Sequence, residues 1–182
     1  MNAPALYTIS KTLDVETLND IRYDGQHAEE VDAEVRGEGK RGVYENFRKS
    51  KLKLLPATNY PDICEQLINI LGYHRPKLPI EKFHVNEFNY LSYSEGGHFT
   101  THHDVIDDKY PRRYTTITLL NKSEDLEGGE LIVWEGDPKH TEPSPIELEV
   151  DDTVIFDSKL WHQLTPIIRG TRECLVAWIY EK

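Results

Sequence analysis

The sequence predicts a mainly β fold, a sandwich or barrel of short strands with a helical layer packed on one face. Three observations predict it. Two amphipathic helical patterns fall in the first 80 residues. After residue 80 the sequence becomes a series of short runs rich in β-branched and aromatic residues, separated by turn clusters such as SEGG, DDKYPRR, KSEDLEGG and EGDPKH. No repeat, low-complexity tract or linker divides the 182 residues, so 1–182 reads as one domain. Within it, 1–80 is helical support with a candidate flap, and 81–182 is the β core.

The elements follow in order. Residues 12–22 (TLDVETLNDIR) offer Leu13, Leu18 and Ile21 to one helix face. Residues 61–71 (PDICEQLINIL) start on Pro61, suited to a first helical position. They place Ile63, Leu67, Ile70 and Leu71 at helical spacing and end at Gly72. Strands are expected at 82–93, 113–120, 130–134, 146–150, 153–158 and 172–180.

Composition narrows the function. The net charge of −11 works against non-specific nucleic-acid binding, which needs clustered cations against phosphates. No apolar run has the roughly 18 residues a membrane span needs, and MNAPALYTISK lacks the basic start and apolar stretch of a secretory signal. Cys64 and Cys174 lie far apart, outside any C-x-x-C, which fits a reducing, cytoplasmic setting. One stretch departs from the acidic average. Residues 36–54 carry seven Lys or Arg against two Glu, after an acidic stretch at 14–34 with eight Asp or Glu and one Arg. Two solvated faces of opposite sign explain this. So does a flap over a substrate entrance, which Gly37, Gly39 and Gly42 favour.

The chemistry concentrates around THHDV, 101–105. If FTTHHDV is a strand, alternation places His102 and Asp104 on one face and His103 on the other. A third ligand must come from elsewhere, and His162 in LWHQLTP, after the apolar TVIFDS, is the candidate. Two imidazoles and a carboxylate on one side of a metal form the facial triad of non-haem Fe(II) oxygenases, with positions open for a chelating cosubstrate and dioxygen. Arg172 opens the last strand and shares a face with Cys174, Val176, Trp178 and Tyr180. An inward arginine needs an anion, and its planar fork matches a carboxylate. The far carboxylate of 2-oxoglutarate is an apt partner.

Residues 83–182 resemble the catalytic domain of the 2-oxoglutarate- and Fe(II)-dependent oxygenases of the prolyl 4-hydroxylase type. The matching segments are NYLSYSEGGHFTTHHD, RRYTTITLLN, the Gly-Gly-Glu-Leu at 128–131, DDTVIFDSKLWHQLTPIIRG and TRECLVAW, in the family's order. The resemblance implies a double-stranded β-helix, a cupin-like jelly roll with N-terminal helices packed on one sheet. It implies Fe(II) at His102, Asp104 and His162, 2-oxoglutarate at Arg172, dioxygen as oxidant and ascorbate as a candidate reductant. It also implies hydroxylation of an unactivated C–H, in a prolyl residue of a peptide or protein, or alternatively in a free amino acid or other small metabolite. A non-catalytic cupin-like module that binds metal or a small ligand is the rival class.

The sequence departs from the family at two places. Leu119 stands where oxygen-sensing relatives have a tyrosine, and Val176 where they have a threonine. Other polar groups must then meet the cosubstrate, and Asn89, Tyr93 and Thr118 are the candidates, with Thr116 beside them. Trp178, Arg113 and His98 are candidates for the substrate pocket. Each also has a plainer reading, as core, strand-edge or solvent-facing residue.

Overall fold

The computed structural model of the protein describes residues 7–33, 35–37, 40–42, 44–105 and 111–182. The first third contributes β1 (Tyr7–Ser10), α1 (Val15–His27), the small hairpin β2 (Val35–Gly37) and β3 (Lys40–Gly42), β4 (Arg48–Lys49), β5 (Lys51–Pro56) and α2 (Pro61–His74). Then come β6 (Phe83–Tyr93), β7 (His98–His102), β8 (Arg112–Lys122), β9 (Glu127–Gly128), β10 (Leu131–Trp134) and β11 (Pro143–Ile146). The last elements are β12 (Thr153–Asp157), β13 (Trp161–Leu164), β14 (Ile167–Arg169) and β15 (Arg172–Glu181).

Two antiparallel sheets make the jelly roll. The six-stranded sheet runs β1-β12-β8-β15-β6-β5, and the five-stranded sheet runs β11-β10-β13-β7-β4. Alternation gives the larger sheet two buried faces. Phe88, Tyr90, Leu120, Leu175, Ala177 and Ile179 point at the helices and pack on Leu18, Ile21, Ile63, Leu67 and Leu71. Leu91, Tyr93, Ile117, Leu119, Cys174 and Val176 point the other way, at Leu131, Val133 and Leu164 of the smaller sheet. Each fully buried Leu or Ile contributes about 2 kcal/mol of transfer free energy. The inter-sheet layer and the helix–sheet layer are thus separate cores.

Both helices are longer than the sequence predicts. The Asp14 carboxylate accepts from Thr17 N–H at 2.8 Å and caps α1. The helix then runs past residue 22, because Gly25 lets it lie against Tyr90: a Cβ there would overlap the ring. Likewise α2 does not stop at Gly72 but ends at His74, and Gly72 sits where a Cβ would meet Ile80 at 2.9 Å.

The strand expected over 146–150 lies earlier, at Pro143–Ile146. Its two prolines hid it, yet β11 is an edge strand, where missing N–H donors are tolerated. The first 80 residues are also more than helical support, since β1 and β5 edge the larger sheet and β4 edges the smaller. Of the expected flap over 36–54, residues 48–54 are built into the two sheets. Gly37 and Gly42 lie in the β2–β3 hairpin, and Gly39 lies outside the described residues.

Candidate active site

The pocket lies between the sheets, with β6, β15 and β8 as one wall and β7, β13 and β10 as the other. Its empty space, counted to the open mouth, is about 580 Å³.

His102 and His162 are partners across the β7–β13 ladder. Between this pair and the Phe99–Leu164 pair, β7 spends three steps and β13 only two. The extra residue is a bulge, and it turns both Phe99 and His102 into the pocket. The strand ends at His102, so Asp104 does not share its face by alternation as the sequence suggests. Asp104 follows the strand, tied by its N–H to Ser158 O at 2.9 Å.

The three ligand atoms lie within 4.8 Å of one another. Nε2 of His102 is 3.6 Å from Asp104 Oδ1, and Nε2 of His162 is 3.5 Å from Oδ2. Each imidazole binds a backbone carbonyl through Nδ1, Thr100 O at 2.7 Å and Leu160 O at 2.9 Å. A carbonyl only accepts, so Nδ1 carries the proton and Nε2 presents its lone pair inward. The Thr115 hydroxyl donates to Asp104 Oδ2 at 2.7 Å and lies 3.1 Å from Ser158 Oγ.

The electrostatics agree. Burial pushes His102 down, His162 adds to this, Asp104 opposes it, and the imidazole ends at about 3. Burial pushes Asp104 up, but His162, His102 and the Thr115 hydroxyl outweigh it and hold the carboxyl near 2. At neutral pH the unprotonated Nε2 of His102 therefore faces the Asp104 carboxylate, with Nε2 of His162 turned to the same point. Such a set needs a cation between its members, and two imidazoles with one carboxylate suit a divalent first-row metal.

Arg172 is buried on β15, its Nε directed at Cys174 Sγ (3.2 Å) and one terminal nitrogen donating to Gly129 O (3.2 Å). It forms no ion pair among the described residues, which leaves its charge unanswered in a largely apolar cavity. Tyr93 is its partner across β6 and β15, and burial pushes that phenol up to about 12, so it remains a donor. Asn89 also lines the cavity, and its buried Nδ2 has no partner. A cradle of this kind, with a guanidinium that has no anionic partner among the described residues, a phenol and an unsatisfied amide, fits a small dicarboxylate better than water.

Other expected residues lie elsewhere. Thr118 faces the helices, its hydroxyl 2.7 Å from that of Thr153, because alternation on β8 turns Thr115 and Ile117 inward instead. Thr116 shares that outer face and donates to Ala177 O. Arg113 is outside the pocket, paired with Glu181 at 3.1 Å. The β8–β15 register shifts beside it, and Arg112 is the residue that stacks over the Trp178 ring, 3.4 Å from its centroid. Trp178 does line the pocket. His98 precedes the bulge and points away, bonded through Nδ1 to Gly96 O at 3.0 Å. His103 is exposed, edge-on to Trp161.

Sequence reasoning missed Arg48, Phe99 and Thr115 as lining residues. Alternation on β8 could have found Thr115. Phe99 needed the bulge, and Arg48 was hidden in a basic stretch that reads as solvated surface.

A jelly roll with an inward imidazole–imidazole–carboxylate set and a buried arginine behind it defines the class: a mononuclear non-haem metal fold with a site for an acidic cosubstrate. Comparison with known proteins agrees. Residues 88–180 match the family model of the 2OG-Fe(II) oxygenase superfamily. A PKHD-type hydroxylase of Teredinibacter turnerae is 30% identical over 160 residues, covering 79% of this chain and 65% of the relative. The chain thus spans less than two thirds of that relative. A second PKHD-type hydroxylase, from Gloeothece citriformis, is 23% identical over 96% of this chain and 77% of its own length. Among solved structures, a Pseudomonas putida prolyl-4-hydroxylase superposes with a TM-score of 0.69 at 17% identity, over 97% of this chain and 93% of the other. A viral collagen prolyl hydroxylase from Paramecium Bursaria Chlorella virus-1 gives 0.70 at 16% identity, over 98% and 97%. The chain belongs to the 2OG-Fe(II) oxygenase superfamily.

Proposed function

We propose that this protein is an Fe(II)- and 2-oxoglutarate-dependent dioxygenase that hydroxylates an unactivated C–H, with a prolyl unit as the substrate class. The observation that carries it is the convergence of both Nε2 lone pairs with the Asp104 carboxylate, in one cavity with the unanswered Arg172. The prolyl part of the reading is supported by the likeness in fold to two prolyl hydroxylases.

In this reading His102, Asp104 and His162 hold the metal, and Arg172 fixes the far carboxylate of 2-oxoglutarate. Once bound, iron and 2-oxoglutarate supply the oxidising chemistry: dioxygen gives one oxygen atom to succinate as carbon dioxide leaves, and the other to the substrate C–H. The protein supplies geometry. Thr100 O and Leu160 O fix the ring tautomers, Thr115 fixes the carboxylate, and Tyr93 and Asn89 donate to the cosubstrate. Leu91, Ile117, Leu131 and Leu164 keep water from the site.

Anaerobic addition of Fe(II) and then 2-oxoglutarate tests the assignment. A visible metal-to-ligand charge-transfer band is expected, absent in Asp104→Ala. In air, succinate should form, and an accepted substrate should gain 16 daltons. Absence of the band with the intact protein would overturn the proposal.

A further inference from the structure

The pocket contains a second guanidinium. Arg48, on β4, is 8% exposed and lines the same cavity as the triad and Arg172. Its Nε donates to Ser50 Oγ at 2.9 Å, and its Cζ stands 5.0 Å from the centroid of Phe99. Among the described residues it forms no ion pair.

Counting anions isolates it. Under the function proposed above, on which this inference rests, 2-oxoglutarate brings two carboxylates. One joins the 2-oxo group at the metal and the other meets Arg172. Asp104 is committed to the metal and to Thr115. Among the described residues no anion remains for Arg48, and a desolvated guanidinium is strongly unfavourable until one meets it. The neighbours offer none: Phe99, Leu91 and Leu164 are apolar, and the Gln163 amide oxygen accepts from Thr101.

We propose that Arg48 receives a free carboxylate carried by the very unit that is hydroxylated. The substrate is then an amino acid, or the C-terminal residue of a peptide, rather than a residue in the interior of a polypeptide. Distance selects this class. Phe99 stacks on His102 with centroids 3.6 Å apart, so the Arg48 guanidinium stands within about 9 Å of the His102 ring. An ion pair sets a carboxylate about 4 Å from the guanidinium. Arg48 and the triad line one cavity, so that carboxylate lies within a few ångströms of the space the triad faces. Within one amino acid, the α-carboxylate and the C–H bonds of the side group are separated by about that much. An internal residue has a neutral amide there, which would leave the Arg48 charge uncompensated. The planar fork of arginine also matches a carboxylate with two parallel N–H bonds.

The test uses the anaerobic Fe(II)·2-oxoglutarate complex and follows perturbation of its visible band as probes bind. The probes are L-proline and the other free proteinogenic amino acids, the peptide Ala-Ala-Pro, its C-terminal amide, and an acetylated, amidated peptide with proline inside. At least one free-carboxylate probe should bind and, in air, gain 16 daltons. Its amide should bind at least tenfold more weakly. Arg48→Gln should remove that preference, and Arg48→Lys should restore part of it, which a merely misfolded site would not show. The affinity for 2-oxoglutarate alone should stay within threefold in both variants.

The inference is overturned if the capped internal prolyl peptide binds as well as the free acids, or if no free acid binds. It is equally overturned if Arg48→Gln weakens 2-oxoglutarate tenfold, since Arg48 would then belong to the cosubstrate. A missing band in the unmodified protein would overturn the parent function, and this inference with it. A band without carboxylate discrimination overturns the inference alone.

Discussion

His102 and His162 are mirror constructions: they pair across β7 and β13 with ring centroids 4.2 Å apart, and each anchors Nδ1 on the carbonyl two residues before it. Neither ring depends on a distant side group for its tautomer. Asp104 differs, because its orientation depends on Thr115.

Thr115→Val should therefore loosen the carboxylate while leaving both imidazoles in place. Removing an outer partner of a metal ligand costs about 10- to 100-fold in metal affinity. An anaerobic Fe(II) titration should show a loss in that range, with 2-oxoglutarate binding at saturating iron nearly unchanged.

Arg172→Gln removes the buried cation behind the triad. Breaking a buried charge-assisted pair costs about 3 kcal/mol or more, which is at least 100-fold in affinity. Titration of 2-oxoglutarate against the Fe(II) protein should show that loss, and the Fe(II) affinity itself should hold.

The buried imidazole also makes the metal-free protein acid-sensitive. The unfolded His102 takes up a proton near pH 6.5, and the folded one only near 3. Between these values the unfolded state binds more protons, so stability falls as pH drops from 6.5 toward 3. By pH 5 the His102 contribution is a loss of about 2 kcal/mol. Asp104 adds nothing yet, because its stabilisation is lost only as pH falls below 3.8 toward about 2. Urea midpoints at pH 7 and pH 5 should differ accordingly.

Gly25→Ala should destabilise the fold without touching the site. The new Cβ would press on the Tyr90 ring, which is buried and backed by the helix–sheet core. Overpacking of this kind costs about 1–3 kcal/mol. Denaturation should report it, and Fe(II) affinity of the folded fraction should not move.

Much of this was legible in the sequence because it follows local rules. The strand runs at 82–93, 113–120 and 172–180 have the alternation of sheet residues, and His102, Asp104, His162 and Arg172 have chemistry that ordinary surface rarely needs. What escaped depends on contacts distant in sequence. The extra residue in β7 brings Phe99 inward and turns His98 out, and only its ladder with β13 reveals it. The register shift at Arg112 exchanges the roles expected of Arg112 and Arg113. Thr118 shows the limit of composition: a polar residue on the right strand, but on the wrong face. Arg48 reads as one more surface cation until β4 is placed at the rim of the smaller sheet.

The smaller sheet ends on β11, where Pro143 and Pro145 stand opposite Trp134 and Ile132. Residues two apart in a strand turn their amide nitrogens the same way, so both prolines silence the same side, the one away from β10. A foreign segment approaching that rim finds carbonyls but too few donors to zip onto. The smaller sheet is thereby guarded at this rim against lateral growth into aggregates.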